Sequence, residues 1–133
     1  MTRVFLAAIG LLYVWLAAWC SFQPEETSRL VGFQLLPGSG QSEFLTVYGG
    51  LELGLALILL WPVLQASAAR QGLVNCTLIH GCLVAFRGAS FVLFQGIEPM
   101  TWKLAAGEWV IFLLGGAILI WSRPGKADRN MAF

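Results

Sequence analysis

Long apolar runs alternate with short polar interruptions along this chain. Four runs stand out: Val4–Phe22, Phe44–Leu64, Gly72–Gln95 and Lys103–Ser122. Each is near the roughly 20 residues that an α-helix needs to cross about 30 Å of hydrocarbon. The pattern predicts an all-α fold, an integral membrane four-helix bundle. It forms a single transmembrane domain over residues 1–133, with helices at about 4–22, 44–64, 72–95 and 103–122. Within the first run, Leu6, Gly10, Tyr13, Ala17 and Cys20 recur at helical spacing and share one face. The small residues there let a neighbouring helix approach closely. Tyr13 falls mid-membrane, so its hydroxyl needs a partner, expected to be a backbone carbonyl. Trp15 and Trp19 are expected against lipid or in the headgroup belt.

The interruptions carry their own signals. In Gln23–Ser42, Pro24-Glu25-Glu26 reads as the first turn of a short helix, with proline tolerated there and acids favoured by the helix dipole. Leu30, Val31, Phe33, Leu35 and Leu36 are too apolar for a free loop and are expected to lie in the interface or cap the bundle. Pro37-Gly38-Ser39-Gly40 marks a turn before the second helix. Gln65–Gln71 is a short polar connection, Gly96–Trp102 is a turn, and the tail from Arg123 is expected to be short and frayed. Arg3 followed by an apolar run resembles a signal peptide. Trp19 spoils a small-residue cleavage site, however, so the segment is expected to be a retained helix.

Composition agrees with the pattern. Of 133 residues 58% are hydrophobic and 11% charged, against about 25% charged in a soluble domain. A net charge of +1 gives no case for nucleic acid. Three cysteines, Cys20, Cys76 and Cys82, make no disulfide framework and are expected to be free thiols. If both termini are cytoplasmic, that side holds Arg3, Arg70, Arg123, Lys126 and Arg129, and the other only Arg29 and Lys103. The positive-inside rule then places both termini inside and the long loop outside.

The chemistry lies in charges inside the apolar runs. The second run reads EFLTVYGGLELGLALILLWPVL and carries Glu52. A charge in hydrocarbon costs roughly 2.5–3.5 kcal/mol on insertion scales, so it should face protein or water and have a partner. On a helical wheel of about 100° per residue, Tyr48 and Glu52 share a face with Gly49, Ala56 and Leu59. Gly50 and Gly54, a GxxxG pair, fall opposite and form a packing groove for another helix of this chain or of a second copy. In the third run Cys76, His80, Arg87 and Phe94 fall within about 20° of one line. In the fourth, Glu108, Phe112, Gly115 and Leu119 share a face. At about 1.5 Å per residue, Glu52 and Arg87 lie roughly 12 Å below the outer ends of their helices and Glu108 about 8 Å. Three ionisable residues on three helices thus converge at similar depth. Arg87 is expected within ion-pair or one-water reach of Glu52, with Glu108 close enough to share the network. One Arg cannot neutralise two carboxylates, so one Glu is protonated or shares a proton unless water or a ligand intervenes. The candidate centre is Tyr48, Glu52, His80, Arg87 and Glu108. It reads either as a polar pocket opening outward or as an assembly clamp. Cys76 and His80, four apart, can co-ligate a metal, but with no second His a hydrogen-bonded core histidine is the better reading. No metal, cofactor or catalytic residue is assigned. The chain shows no phosphate loop, CxxC, His box or nucleophile constellation, which weighs against enzyme chemistry.

The run Val47-Tyr48-Gly49-Gly50-Leu51-Glu52-Leu53-Gly54, with Arg87 late in the third helix, resembles an uncharacterised bacterial family of small four-helix membrane proteins with a YGGxE motif in helix two, DoxX-like in appearance. Tyr48, Gly49, Gly50, Glu52 and Arg87 carry the likeness. Leu45 departs from an Arg often seen three residues before that Tyr, which removes a second cation there. The resemblance implies a four-helix bundle and loosely associates it with quinone-coupled redox membranes. The expected function is binding, or passage, of a small amphipathic or anionic ligand at the Glu/Arg centre. The alternatives are an accessory subunit of a larger membrane complex or homo-oligomer, and a quinone-linked redox protein. Membrane lipid is the expected surrounding partner.

Overall fold

The computed structural model describes residues 1–122, and these are helical almost throughout with no strand. The tail expected to fray lies outside the described residues. The first helix, α1, is Thr2–Phe22. A short helix α2, Pro24–Leu30, has its proline at the first turn, as the Pro-Glu-Glu signal predicted. Helix α3, Ser39–Phe44, runs through a π-helical segment at Leu45–Leu51 into α4, Glu52–Leu64. A 3₁₀ turn at Ala66–Ala68 leads into α5, Ala69–Leu93, and α6 is Pro99–Trp121. Four continuous helical spans result: Thr2–Phe22, Ser39–Leu64, Ala66–Leu93 and Pro99–Trp121, each long and apolar enough to cross a membrane.

The second, third and fourth spans begin earlier than the apolar runs suggested. A hydropathy boundary marks where hydrocarbon would end, and a helix continues past it wherever polar residues can still close the backbone ladder. Pro99 opens α6 because a first-turn proline loses no intrahelical bond. The connection expected at Gln65–Gln71 is mostly helical for the same reason.

The spans alternate in direction. Arg3 near the start of α1 donates from Nε to the Pro62 carbonyl at 3.0 Å and from Nη2 to the Val63 carbonyl. Arg70 at the start of α5 donates to the Ser122 carbonyl at 3.2 Å. The chain's first residues, the end of α4, the start of α5 and the end of α6 therefore share one end of the bundle, the terminal end. There the two arginines satisfy carbonyls that helix C-termini leave without partners. The opposite, loop end carries α2 and the starts of α3 and α6.

Core packing follows the small residues of α1. Leu6, Gly10, Tyr13, Ala17 and Cys20, the face expected from spacing, are all buried. Leu6 and Tyr13 form one cluster with Ala56, Leu59 and Cys76. A Cβ on Gly10 would sit 2.7 Å from Leu60 Cγ, and one on Gly72 2.5 Å from Pro62 Cγ, so side chains of α4 press directly against the glycine backbone of α1 and of α5. The contact of α6 is mainly with α5, where the Phe91 and Trp102 ring centroids are 4.0 Å apart. Outward faces are apolar on every span: Leu11, Leu57, Phe86 and Leu113 are each about 60% exposed or more. In water such surface would be a large exposed apolar area; against acyl chains it is the ordinary lipid-facing side.

One expectation about helix packing is overturned within the chain. Among the described residues no atom beyond the local helix backbone comes within 4 Å of where a Cβ on Gly50 or Gly54 would stand, and Gly50 is exposed. The glycine that meets a neighbour is Gly49, whose Cβ would lie 2.6 Å from Ser21 Oγ on α1. The physical reason is direction. The buried face that carries Glu52, Ala56 and Leu59 takes Gly49 with it, and the GxxxG pair is left on the outside.

Candidate functional site

The site lies at the loop end, and local chain chemistry builds it. After α2 the chain reverses in a Schellman motif: Gly32 N–H bonds the Arg29 carbonyl at 3.1 Å and Phe33 N–H the Ser28 carbonyl at 2.9 Å. Gly32 takes φ +82°, which a side chain would disfavour. The reversal swings Val31 and Phe33 over the bundle. Phe33 meets Phe44 edge-on at 6.4 Å and Tyr48 at 5.9 Å, while Phe44 stacks on Tyr48 at 4.6 Å. Gln41 ties α3 to α2 through Glu25 Oε1 at 3.1 Å. The apolar loop therefore caps the bundle, one of its two expected roles.

Beneath the cap lie two adjoining cavities. The first, of about 90 Å³, is walled chiefly by carbon, from Leu16, Trp19, Leu30, Phe44 and Leu104 among others, and Glu52 is its one carboxylate. The second, about 310 Å³ and more polar, is bordered by Arg87, Ser90, Thr101 and Glu98. Val31, Tyr48 and Leu104 line both and form the shared wall. The π-helical segment ends immediately before Glu52. Its wider i→i+5 turn is a local irregularity of the kind frequent at functional sites.

The charges pair differently from expectation. Arg87 donates to Glu108 through Nε at 3.1 Å and Nη2 at 2.6 Å, a bidentate fork. Their side chains are 28% and 14% exposed. Glu52 forms no ion pair with Arg87 and no hydrogen bond among the described residues. Its Oε2 is buried without a donor. Matched depth brought the three residues to one region, but the Nε/Nη2 edge of Arg87 is held by Glu108 on the adjacent helix α6. Arg87 Nη1 remains without a protein acceptor among the described residues.

His80 belongs to a separate, deeper group. It is 1% exposed. Its Nδ1–H donates to the Cys76 carbonyl at 2.8 Å, which leaves Nε2 as the acceptor for the Tyr13 hydroxyl at 3.3 Å. Both ring nitrogens of the neutral imidazole are thus occupied, and α1 is tied to α5 mid-bundle. The partner of Tyr13 is therefore this side chain, where a backbone carbonyl was expected. Cys76 Sγ lies 3.7 Å from Nδ1, and all three cysteines are free.

Sequence reasoning missed the walls. Trp19, expected against lipid or in the headgroup belt, is half-buried, lines the Glu52 cavity and donates from Nε1 to Gln23 Oε1 at 2.9 Å. Trp15 is exposed as expected. Phe44 marks the start of a span in the hydropathy pattern, and its place one turn before Tyr48 is the signal for its part in the wall. Phe94, aligned with Arg87 on the wheel, is 63% exposed because α5 ends at Leu93. Comparison with known protein families, curated proteins and solved structures finds no match to this chain.

Proposed function

We infer that the chain is a bacterial inner-membrane protein that binds a small amphipathic ligand in the two cavities at its loop end. The observation that carries this reading is the Glu52 carboxylate, set in a carbon-walled cavity with a buried oxygen that no group among the described residues satisfies. A buried unsatisfied acceptor costs about 1–3 kcal/mol, more for a charged group, so a site retaining one is completed by something outside the protein. Resemblance to the DoxX-like family is compatible with this reading and adds no ligand. Both termini face the cytoplasm and the cavities open to the outer side, on the distribution of cations. Arg3 and Arg70, two of the cations on which that orientation rests, cap carbonyls at the terminal end.

The test is native mass spectrometry of the protein released from membranes with bound molecules retained. A small adduct on the wild type, lost in Glu52→Gln, is the expected result. Identical bare spectra for both proteins would refute it. A second reading has one observation in its favour: Gly50 and Gly54 leave open space on the outward face of the second span that no described residue fills. A second copy or another membrane subunit docking there would make the protein an assembly component.

A further inference from the structure

The binding reading above leaves the ligand's chemistry open, and the inference here rests on that reading. Three features of the smaller cavity bear on it. First, its acidic group is unmatched. Arg87 is committed to Glu108 by two hydrogen bonds, so Arg87, Glu108 and Glu52 together lack one positive charge when all are ionised. Second, the donors that line the cavity are few and uncharged: the Tyr48 hydroxyl, the Cys20 thiol, the Thr27 hydroxyl and the Trp19 indole. The Thr27 hydroxyl already donates to the Gln23 carbonyl at 2.8 Å, and the Trp19 indole N–H is held by Gln23. Third, the walls include the aromatic side chains of Trp19, Phe44 and Tyr48. Aromatic faces attract cations through the ring quadrupole, and the attraction grows as water is excluded.

We propose that the cavity is a site for a lipophilic organic ammonium, whose N–H groups satisfy Glu52 and whose hydrocarbon part lies against the apolar walls. An alcohol supplies a donor without the missing charge. A carboxylate or phosphate meets Glu52 with like charge, and no cationic side chain is among the residues that line this cavity; Arg87 borders the neighbouring one and is paired with Glu108. The sequence-based expectation of an anionic ligand rested on a shared Glu52/Arg87/Glu108 centre, and the fork of Arg87 to Glu108 alone removes that support. A proton is the smallest species that satisfies Glu52, so the ammonium competes with it. Binding therefore weakens as pH falls. An alkylamine stays protonated across the range used, its own pKa being near that of lysine, about 10.4.

The experiment compares three probes of one chain length, n-octylammonium, n-octanol and n-octanoate. Their binding to the full chain in neutral-lipid nanodiscs is read by equilibrium dialysis of labelled probe, with empty discs subtracted. Saturable octylammonium binding is expected. It falls by about 30-fold or more in Glu52→Gln and weakens as pH is lowered. Trp19→Leu, which leaves the carboxylate in place, weakens it by a smaller factor of about 2–5. Saturable octanoate or octanol binding that equals or exceeds that of octylammonium would overturn the ammonium assignment while leaving the binding reading standing. So would octylammonium binding indifferent to Glu52→Gln in a variant that keeps its melting temperature. Absence of saturable binding for all three probes overturns both.

Discussion

Replacing Arg87 by Met tests which carboxylate it serves. The change removes a bidentate fork of 3.1 and 2.6 Å and leaves Glu108, whose side chain is 14% exposed, without its counter-charge. Breaking a buried ion pair from one side costs about 3–5 kcal/mol, mostly the penalty of the charge left behind. Arg87 is 28% exposed, which permits some solvation and puts the expected loss near the lower end, about 3 kcal/mol. Adding Glu108→Gln removes the stranded charge, and the double variant should recover at least half of the loss. Adding Glu52→Gln to Arg87→Met should recover much less, because Glu52 takes no bond from Arg87. The assay is reversible unfolding in mixed micelles by increasing the denaturing-detergent fraction, followed by tryptophan fluorescence, on the wild type, three single and two double variants. Equal rescue by both second substitutions would refute the assignment of Arg87 to Glu108 alone. Glu52→Gln by itself should leave stability unchanged or raised, since an amide replaces an unsatisfied carboxylate.

Three further outcomes are expected. Gly72→Ala drives a methyl to 2.5 Å from Pro62 Cγ and should cost about 1–3 kcal/mol, while Gly50→Leu, with nothing within 4 Å, should leave monomer stability unchanged; a loss of oligomer in Gly50→Leu would mark the groove as an interface, measured by light scattering corrected for detergent. Tyr13→Phe removes the donor to His80 Nε2 in the mid-bundle pair and should lower stability by about 1–3 kcal/mol; Tyr13→Phe matching the wild type in the same unfolding assay would show that the pair contributes nothing. A cysteine at Ser39, in a protein whose native cysteines are replaced, should react with an impermeant thiol reagent from the outer side, and labelling only from the cytoplasm would reverse the proposed orientation.

The linear chain determined the spans and much of their inward faces, because a helix converts spacing directly into direction. The buried face of α1 followed from residues three and four apart, and the short helix at Pro24 followed from the fixed φ of proline and two acids at its dipole. Depth is also one-dimensional, so Glu52, Arg87 and Glu108 could be brought to one level at about 1.5 Å per residue. What a wheel does not contain is which helices are neighbours and how closely they approach. Tertiary packing set α6 against α5, and with that choice Arg87 met Glu108 and left Glu52 unpaired. It placed Gly49 rather than Gly50 and Gly54 at the close contact with α1. It also carried Trp19 to a cavity wall, since the chain reversal at Gly32 folds the apolar loop back over the end of α1. Partner choice among equivalent depths depends on lateral contact between helices, and lateral contact is the one coordinate that periodicity along a chain does not encode.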